Sequence, residues 1–348
     1  LKYRTKEYAE WVCVFNTLQN NLSALFLSVV FLLSFMGCGR ETNSFKVLRS
    51  VNLSIQCDGV RVSEERYFSL RFQNVGNLIL AYWIDYEKGV FHIIDVENSD
   101  TSKLKLHKQL NEVVKGYAKM PLHNDYQFLT PTKLGFYFWH EQRFYTWNLS
   151  NDSLVKYSLG DALKQAGDAN LQPFSASLYP FSSIGSKVYF TCVYPNLHLT
   201  DQSKVKAFYS SRNLICFNTA KDNMEYATFG SFPANYREGN MYNDLYFYKC
   251  INSKNEVVLS YPANDSLFIY TEQGIFKEQK VAKSEFREPF TPLSLEERKD
   301  VGVLREYALT NNFYNKLIFD KYRNRYYRVF KKKTSFLTSD GKVRKPSE

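Results

Sequence analysis

Residues that break or staple a chain are scarce in this sequence. Only 15 glycines and 10 prolines occur in 348 residues, which excludes collagen-like and low-complexity classes. The 6 cysteines include no CxxC pair, so zinc and thioredoxin chemistry are disfavoured. Cys57, Cys192, Cys216 and Cys250 read as isolated thiols, because their spacings form no regular framework. Cys192 and Cys216 do fall in consecutive expected strands, where they could face each other. The 5 histidines are far apart. His140 and Glu141 adjoin, but neighbours on a strand point to opposite faces and cannot share an ion. The chain contains no GxSxG, HExxH, P-loop, GxGxxG or EF-hand pattern. No catalytic residue, metal site or cofactor is therefore assigned.

Charge is missing from one long stretch: no Asp, Glu, Lys or Arg lies between Glu10 and Arg40. Inside that gap, LSALFLSVVFLLSFM (residues 22–36) has the length of a secretory apolar core. It is short for a spanning helix, which wants about 20 apolar residues. Lys2, Arg4 and Lys6 supply positive charge ahead of it. Phe35, Met36, Gly37 and Cys38 resemble the lipobox of bacterial lipoproteins. Such a site needs a small residue beside the cut and a cysteine thiol to take a diacylglycerol, and several acyl chains together hold a protein on a membrane. This reading divides the chain into a signal peptide (1–37), a lipidated tether (38–45) and a folded body (46–348), anchored to the membrane through Cys38. An uncleaved anchor helix is the alternative. No Asp follows Cys38 directly, so the expected address is the outer membrane of the cell envelope.

The body is rich in rings, with 26 Tyr and 28 Phe, and such residues favour strands. Five times an apolar strand, a polar turn and a second aromatic or β-branched strand recur. The first two are NLILAYWIDYEKGVFHIIDV (77–96) and KLGFYFWHEQRFYTWNL (133–149). The third pairs KVYFTCVYP (187–195) with NLICFN (213–218), and the last two are EVVLSYPANDSLFIYTE (256–272) and NKLIFDKYRNRYYRVF (315–330). Short turns make each pair an antiparallel hairpin. The hairpins repeat about every 60 residues, and small sheets that cannot bury both faces alone do so by radial packing. The fold class is therefore all-β, a β-propeller. Helices are expected only between hairpins, over 293–301, where Ser294 and Glu297 have capping-box spacing, and over 104–118.

The lipobox, the spaced hairpins, SYPANDSLFIYTEQG (260–274) and YNKLIFDKYRNRYYRVF (314–330) together resemble six-bladed β-propeller lipoproteins of Gram-negative bacteria. The nearest resemblance is to a family described as a domain of unknown function. It implies six blades and an envelope location, and it lends no reaction. Five hairpins are counted, so the last blade is expected to be incomplete, or to be completed by strands around 46–55 and 66–72 with 334–343.

The net charge of +10 is mostly scattered and matched by acids; the basic residues at the chain end read as a solvated tail. YRNRYYRVFKKK (322–333) interleaves bases and rings, but with the alternation of an ordinary strand, so no nucleic-acid partner is expected. Propeller ligands sit where the loops before inner strands converge. Here those loops are HNDY (123–126), LYPF (178–181), NYREGNMYND (235–244) and REY (305–307). Tyr and Arg there suit a sugar or peptide, or else the rings plug the core. The candidate binding residues are Tyr236, Arg237 and Arg305, with Tyr179 and His123 nearby. The functional expectation is a membrane-anchored binding or scaffold propeller whose ligand is a protein, peptide or glycan. A lyase or hydrolase acting on envelope carbohydrate is the alternative.

Overall fold

All five expected hairpins form, and the first four each recruit neighbouring strands into a larger sheet. The computed structural model describes residues 71–341 apart from 77, 86–88, 96–105, 110–123, 166–170, 177–178, 195–196, 198, 221–224, 239, 243–244 and 338–340. The apolar stretch 22–36, Cys38, Cys57 and His123 lie outside the described residues. Among the described residues no helix is long and apolar enough to cross a membrane.

The chain divides into two compact units, residues 1–121 and 122–348. In the first unit, β1 (Arg71–Val75), β2 (Leu78–Asp85), β3 (Val90–Asp95) and β4 (Leu106–Gln109) form one antiparallel meander in chain order. Its register sets Trp83 opposite His92, and the two rings stack at 4.7 Å.

In the second unit, β5 (Asn124–Thr130), β6 (Lys133–Phe138), β7 (Arg143–Asn148) and β8 (Leu154–Ser158) make the second sheet. The third contains β9 (Gln172–Phe174), β10 (Ser182–Ile184), β11 (Lys187–Val193), β12 (Leu214–Asn218) and β13 (Glu225–Phe229), with β9 and β10 both pairing with β11. The fourth runs β14 (Tyr248–Ile251), β15 (Val257–Ser260), β16 (Ser266–Tyr270) and β17 (Phe276–Val281). A two-stranded sheet, β18 (Phe313–Asp320) with β19 (Arg325–Lys331), follows. The fold is thus mostly β, and its four larger meanders have the form of propeller blades.

Burial explains the pattern. Each middle strand is covered on both faces and reads as a continuous apolar run, as in VVLS of β15, where every residue is buried. An outer strand such as β17, FKEQKV, is exposed along nearly its whole length. Consecutive sheets of the second unit pack through rings. Phe144 of the second sheet meets Phe190 of the third edge-on at 5.8 Å. Phe229 of the third meets Tyr270 of the fourth at 5.6 Å. Leu317 of the two-stranded sheet completes a cluster with Val258, Leu267 and Ile269. Each such buried side chain contributes roughly 1.5–3 kcal/mol by leaving water.

Among the described residues four short α-helices sit between strands: α1 (Leu159–Gln165), α2 (Gln202–Ser210), α3 (Ala234–Arg237) and α4 (Val301–Thr310). Asp201 caps α2 through the amides of Ser203 and Lys204, and Asp300 caps α4 through those of Gly302 and Val303. Both expected helices need correction. Residues 106–109, within the expected helix 104–118, form strand β4, paired along β3. The capping box of 293–301 does form, with the Ser294 amide donating to Glu297 Oε2 at 2.7 Å, but it encloses a single 3₁₀ turn, Glu297–Lys299. The buried Arg298 turns back on the Leu293 carbonyl at 3.0 and 3.2 Å, and the α-helix starts only at Val301. Nor do Cys192 and Cys216 face each other: Cys216 lies opposite Tyr189, and Cys192, Cys216 and Cys250 are free thiols.

Gly274 shows how closely the third and fourth sheets approach. Its φ is +82°, and an added Cβ would sit 2.5 Å from the Phe229 ring. Gly274→Ala should therefore cost roughly 2–3 kcal/mol, half of it backbone strain and half overpacking, read as a lower urea midpoint with an unchanged slope.

A second expectation concerns acid. Glu256 is buried, and hydrogen bonds from Lys277 first and Asn252 second hold its carboxyl below the usual range. A depressed acid stabilises the fold above its unfolded pKa and loses that contribution as pH falls through the folded value. Thermal melting followed below pH 5 should drop less steeply in Glu256→Gln than in the parent.

Candidate functional site

The β15–β16 turn, YPAND, does more than reverse the chain. It forms the floor of an open cleft of about 630 Å³, walled by residues 231–237, by Phe268 and Gln279 of the same sheet, and by residues 287–290. This lies in the size range of small-molecule sites.

The turn is held from below by one cation. Arg328 of β19 donates from Nε to Ser260 Oγ (2.9 Å), from Nη1 to the Ala282 carbonyl (3.1 Å), and from Nη2 to the carbonyls of Asn264 (2.7 Å) and Tyr261 (3.3 Å). Its guanidinium lies 3.4 Å from the centre of the Tyr314 ring. Burial pulls this guanidinium down to about 10, with Tyr314 and Asp265 opposing the shift. Tyr314, itself buried, donates its hydroxyl to Asp265 Oδ1 at 3.0 Å and accepts the Ser284 amide. Asp265 Oδ2 is 2.9 Å from Arg287 Nε. That contact is an ion pair whose N–H does not point along a hydrogen bond. Arg287 in turn covers the Phe290 ring at 4.9 Å.

The opposite wall is pinned by Tyr236. The sequence grouped this ring with the ligand-contacting rim; the structure corrects that. Tyr236 is 0% exposed, and its ring meets those of Tyr209, Phe232 and Tyr242 at 5.2, 5.5 and 4.9 Å. Its hydroxyl accepts the Ala263 amide at 2.8 Å, which ties α3 to the turn. Being buried, it cannot stack on a ligand. Its neighbours on α3 point elsewhere, as successive helical residues must. Asn235 and Arg237 both line the cleft.

Three amides around the cleft are held by only part of their hydrogen-bonding groups. Asn235 Nδ2 donates to the Ala263 carbonyl (2.9 Å) and its Oδ1 accepts Asn264 Nδ2 (3.2 Å). Asn264 Oδ1 accepts the Ser266 amide (2.9 Å), and Gln279 Nε2 donates to Ser266 Oγ (2.9 Å). Each side-chain amide has two N–H donors and two lone pairs, so each is fixed in place with capacity left over. Arg237 is exposed, and among the described residues no side-chain partner engages its guanidinium.

The other expected residues do not gather here. Arg305 is exposed on helix α4 rather than in a loop, and it is not a cleft-lining residue. Tyr179 belongs to a separate aromatic column that joins the third and fourth sheets, 4.7 Å from Tyr246 and 5.2 Å from Tyr248. The buried Asp125 carboxylate sets that column's loop by accepting Ser175 Oγ and the Phe181 amide. Lys249 beside it donates to the Pro180 carbonyl at 2.6 Å, and desolvation draws its amine down to about 8. Sequence reasoning missed Asn235, Asn264, Asp265, Gln279, Arg287 and Arg328. The Asn-Asp-Ser turn was a usable signal for two of these positions, Asn264 and Asp265, since such side chains bond back to the chain.

The sequence matches no family model and no curated protein. A solved structure of a DUF4221 family member from Bacteroides vulgatus is similar over 80% of this chain and 76% of its own, with a TM-score of 0.56 and 13% identity. That likeness is one of fold. The β-propeller domain of Cps50 (Swd1) from Myceliophteria thermophila gives a TM-score of 0.31 at 9% identity, over 62% of this chain and 55% of its own. Virginiamycin B lyase from Staphylococcus aureus gives 0.27 at 9% identity, over 61% and 59%.

Removing the Arg328 guanidinium strands one hydroxyl and three carbonyls beneath the turn. Arg328→Met should cost about 2–3 kcal/mol, since each buried acceptor left bare is unfavourable by 1 kcal/mol or more. Chemical denaturation would read this as an earlier midpoint, and Arg328→Lys should recover only a minor part, because an ammonium cannot reach four acceptors in one plane.

Proposed function

We propose that this chain is an envelope-anchored binding protein: a lipid on Cys38 holds it at the outer membrane, and the cleft over the β15–β16 turn captures a soluble or surface-bound ligand. The signal peptide is residues 1–37, and the body, residues 46–348, is a six-bladed propeller. The observation that carries the binding role is the cleft itself. A free guanidinium and three partly engaged amides, the amides held by their own hydrogen bonds, face an open volume of about 630 Å³. Groups held in place in advance lose little entropy on binding.

Binding is favoured over hydrolysis or elimination by the state of the one carboxylate in the lining. Asp265 is already engaged by Arg287 and Tyr314, which leaves it poorly disposed to move protons. A glycosidase would need a second carboxylate facing it, and the described lining residues supply none.

Two measurements test the two halves. Cys38→Ala should move the protein from the membrane to the soluble fraction, and unchanged retention would sink the anchor. Ala234 is exposed at the cleft wall, so Ala234→Trp fills the mouth without touching the core. Ligand-observed NMR against a panel of sugars, peptides and small acids should show contacts that vanish in Ala234→Trp at unchanged melting temperature. Contacts indifferent to the plug would place binding elsewhere.

A further inference from the structure

We infer that the ligand of this cleft is an acidic sugar, a pyranose bearing a carboxylate. This deepens the binding role proposed above and rests on it.

The charge around the cleft is lopsided. Arg237 lines it with no side-chain partner among the described residues. The one carboxylate of the lining, Asp265, is neutralised by Arg287. A guanidinium fork matches a carboxylate in two parallel hydrogen bonds, which fixes the ligand's orientation as well as its charge.

The remaining lining asks for hydroxyls. Asn235 and Asn264 each keep one N–H and one lone pair unused, and Gln279 keeps one N–H and its whole carbonyl oxygen. Vicinal hydroxyls both donate and accept, so they satisfy such amides in pairs. The half-buried Phe268 adds an apolar face beside them, suited to the C–H face of a sugar ring. A fatty-acid carboxylate would satisfy Arg237 but would set an apolar chain against the amides, at a cost for each polar group left unpaired.

The test is a calorimetric titration of the intact chain with D-galacturonate and D-glucuronate, against D-galactose, D-glucose and sodium acetate. The uronates should bind about tenfold or more tighter than the neutral sugars, the share expected of one charge-assisted pair. Arg237→Ala should erase that advantage and leave the neutral sugars unchanged, and Arg237→Lys should restore part of it. Because Arg237 is exposed, both variants should melt with the parent. Neutral sugars binding as tightly as uronates would overturn the charge assignment. Acetate binding as tightly as uronate would reduce the cleft to a plain anion site. If no uronate binds, yet some other ligand is lost in Ala234→Trp, the acidic-sugar inference fails and the binding role stands. If no ligand responds to Ala234→Trp, both fail.

Discussion

One guanidinium under one turn organises the cleft over the β15–β16 turn. Arg328 comes from the second strand of the last hairpin, yet all four of its hydrogen bonds end in the fourth sheet and the segment after it, at Ser260, Tyr261, Asn264 and Ala282. Its flat face rests on Tyr314, whose hydroxyl goes on to hold Asp265 and the Ser284 amide. A partly buried cation is costly unless its donors are used, and here they reach one hydroxyl and three backbone carbonyls. The arrangement dictates where Asn264 and Asp265 point. Through Asp265 it also places Arg287, and so the far wall.

The second organising feature is the use of tyrosine as an apolar ring with a polar tether. Tyr261 is fully buried; its hydroxyl donates to the Ser231 carbonyl and accepts Asn213 Nδ2. Tyr189 donates to the Glu272 carbonyl at 2.9 Å, across the third and fourth sheets. Tyr307 of α4 donates to the Thr291 carbonyl. Rings bury large apolar area while each hydroxyl finds one backbone acceptor, so loops between sheets are anchored without buried charges. The 17% aromatic content is the compositional trace of this packing.

This division explains what could be read from the sequence. The middle hairpins were legible because both faces are apolar and the turns are short, as in KLGFYF with RFYTWN. The flanking strands were not. β17 carries Phe276, Lys277, Glu278, Gln279 and Lys280 with no alternation, since almost all of it faces water. Over 104–118 the spacing of Leu106, Leu110, Val113, Val114 and Tyr117 imitates a helix, and in 106–109 pairing along β3 overrides that local preference. At the site, the stretch 235–244 supplies Asn235 and Arg237 to the cleft lining, but the sequence reading gives Tyr236 and Arg237 the same role. Helix geometry separates them, sending one ring into the core and leaving one charge at the cleft. The amides and Arg328 were illegible for a different reason. Their roles come from contacts between residues tens of positions apart, and no local pattern encodes such contacts.

The central claim is that Arg328 holds the cleft floor, and hydrogen exchange at single amides tests it most directly. The Ala263 amide bonds to the Tyr236 hydroxyl and the Ser266 amide to Asn264 Oδ1, so both report the turn's geometry. In Arg328→Lys these two amides should exchange markedly faster, while those of β6 and β7 in the second sheet keep their protection. Equal protection at Ala263 and Ser266 in both proteins would mean the turn stands without Arg328, and the account of the site would be wrong.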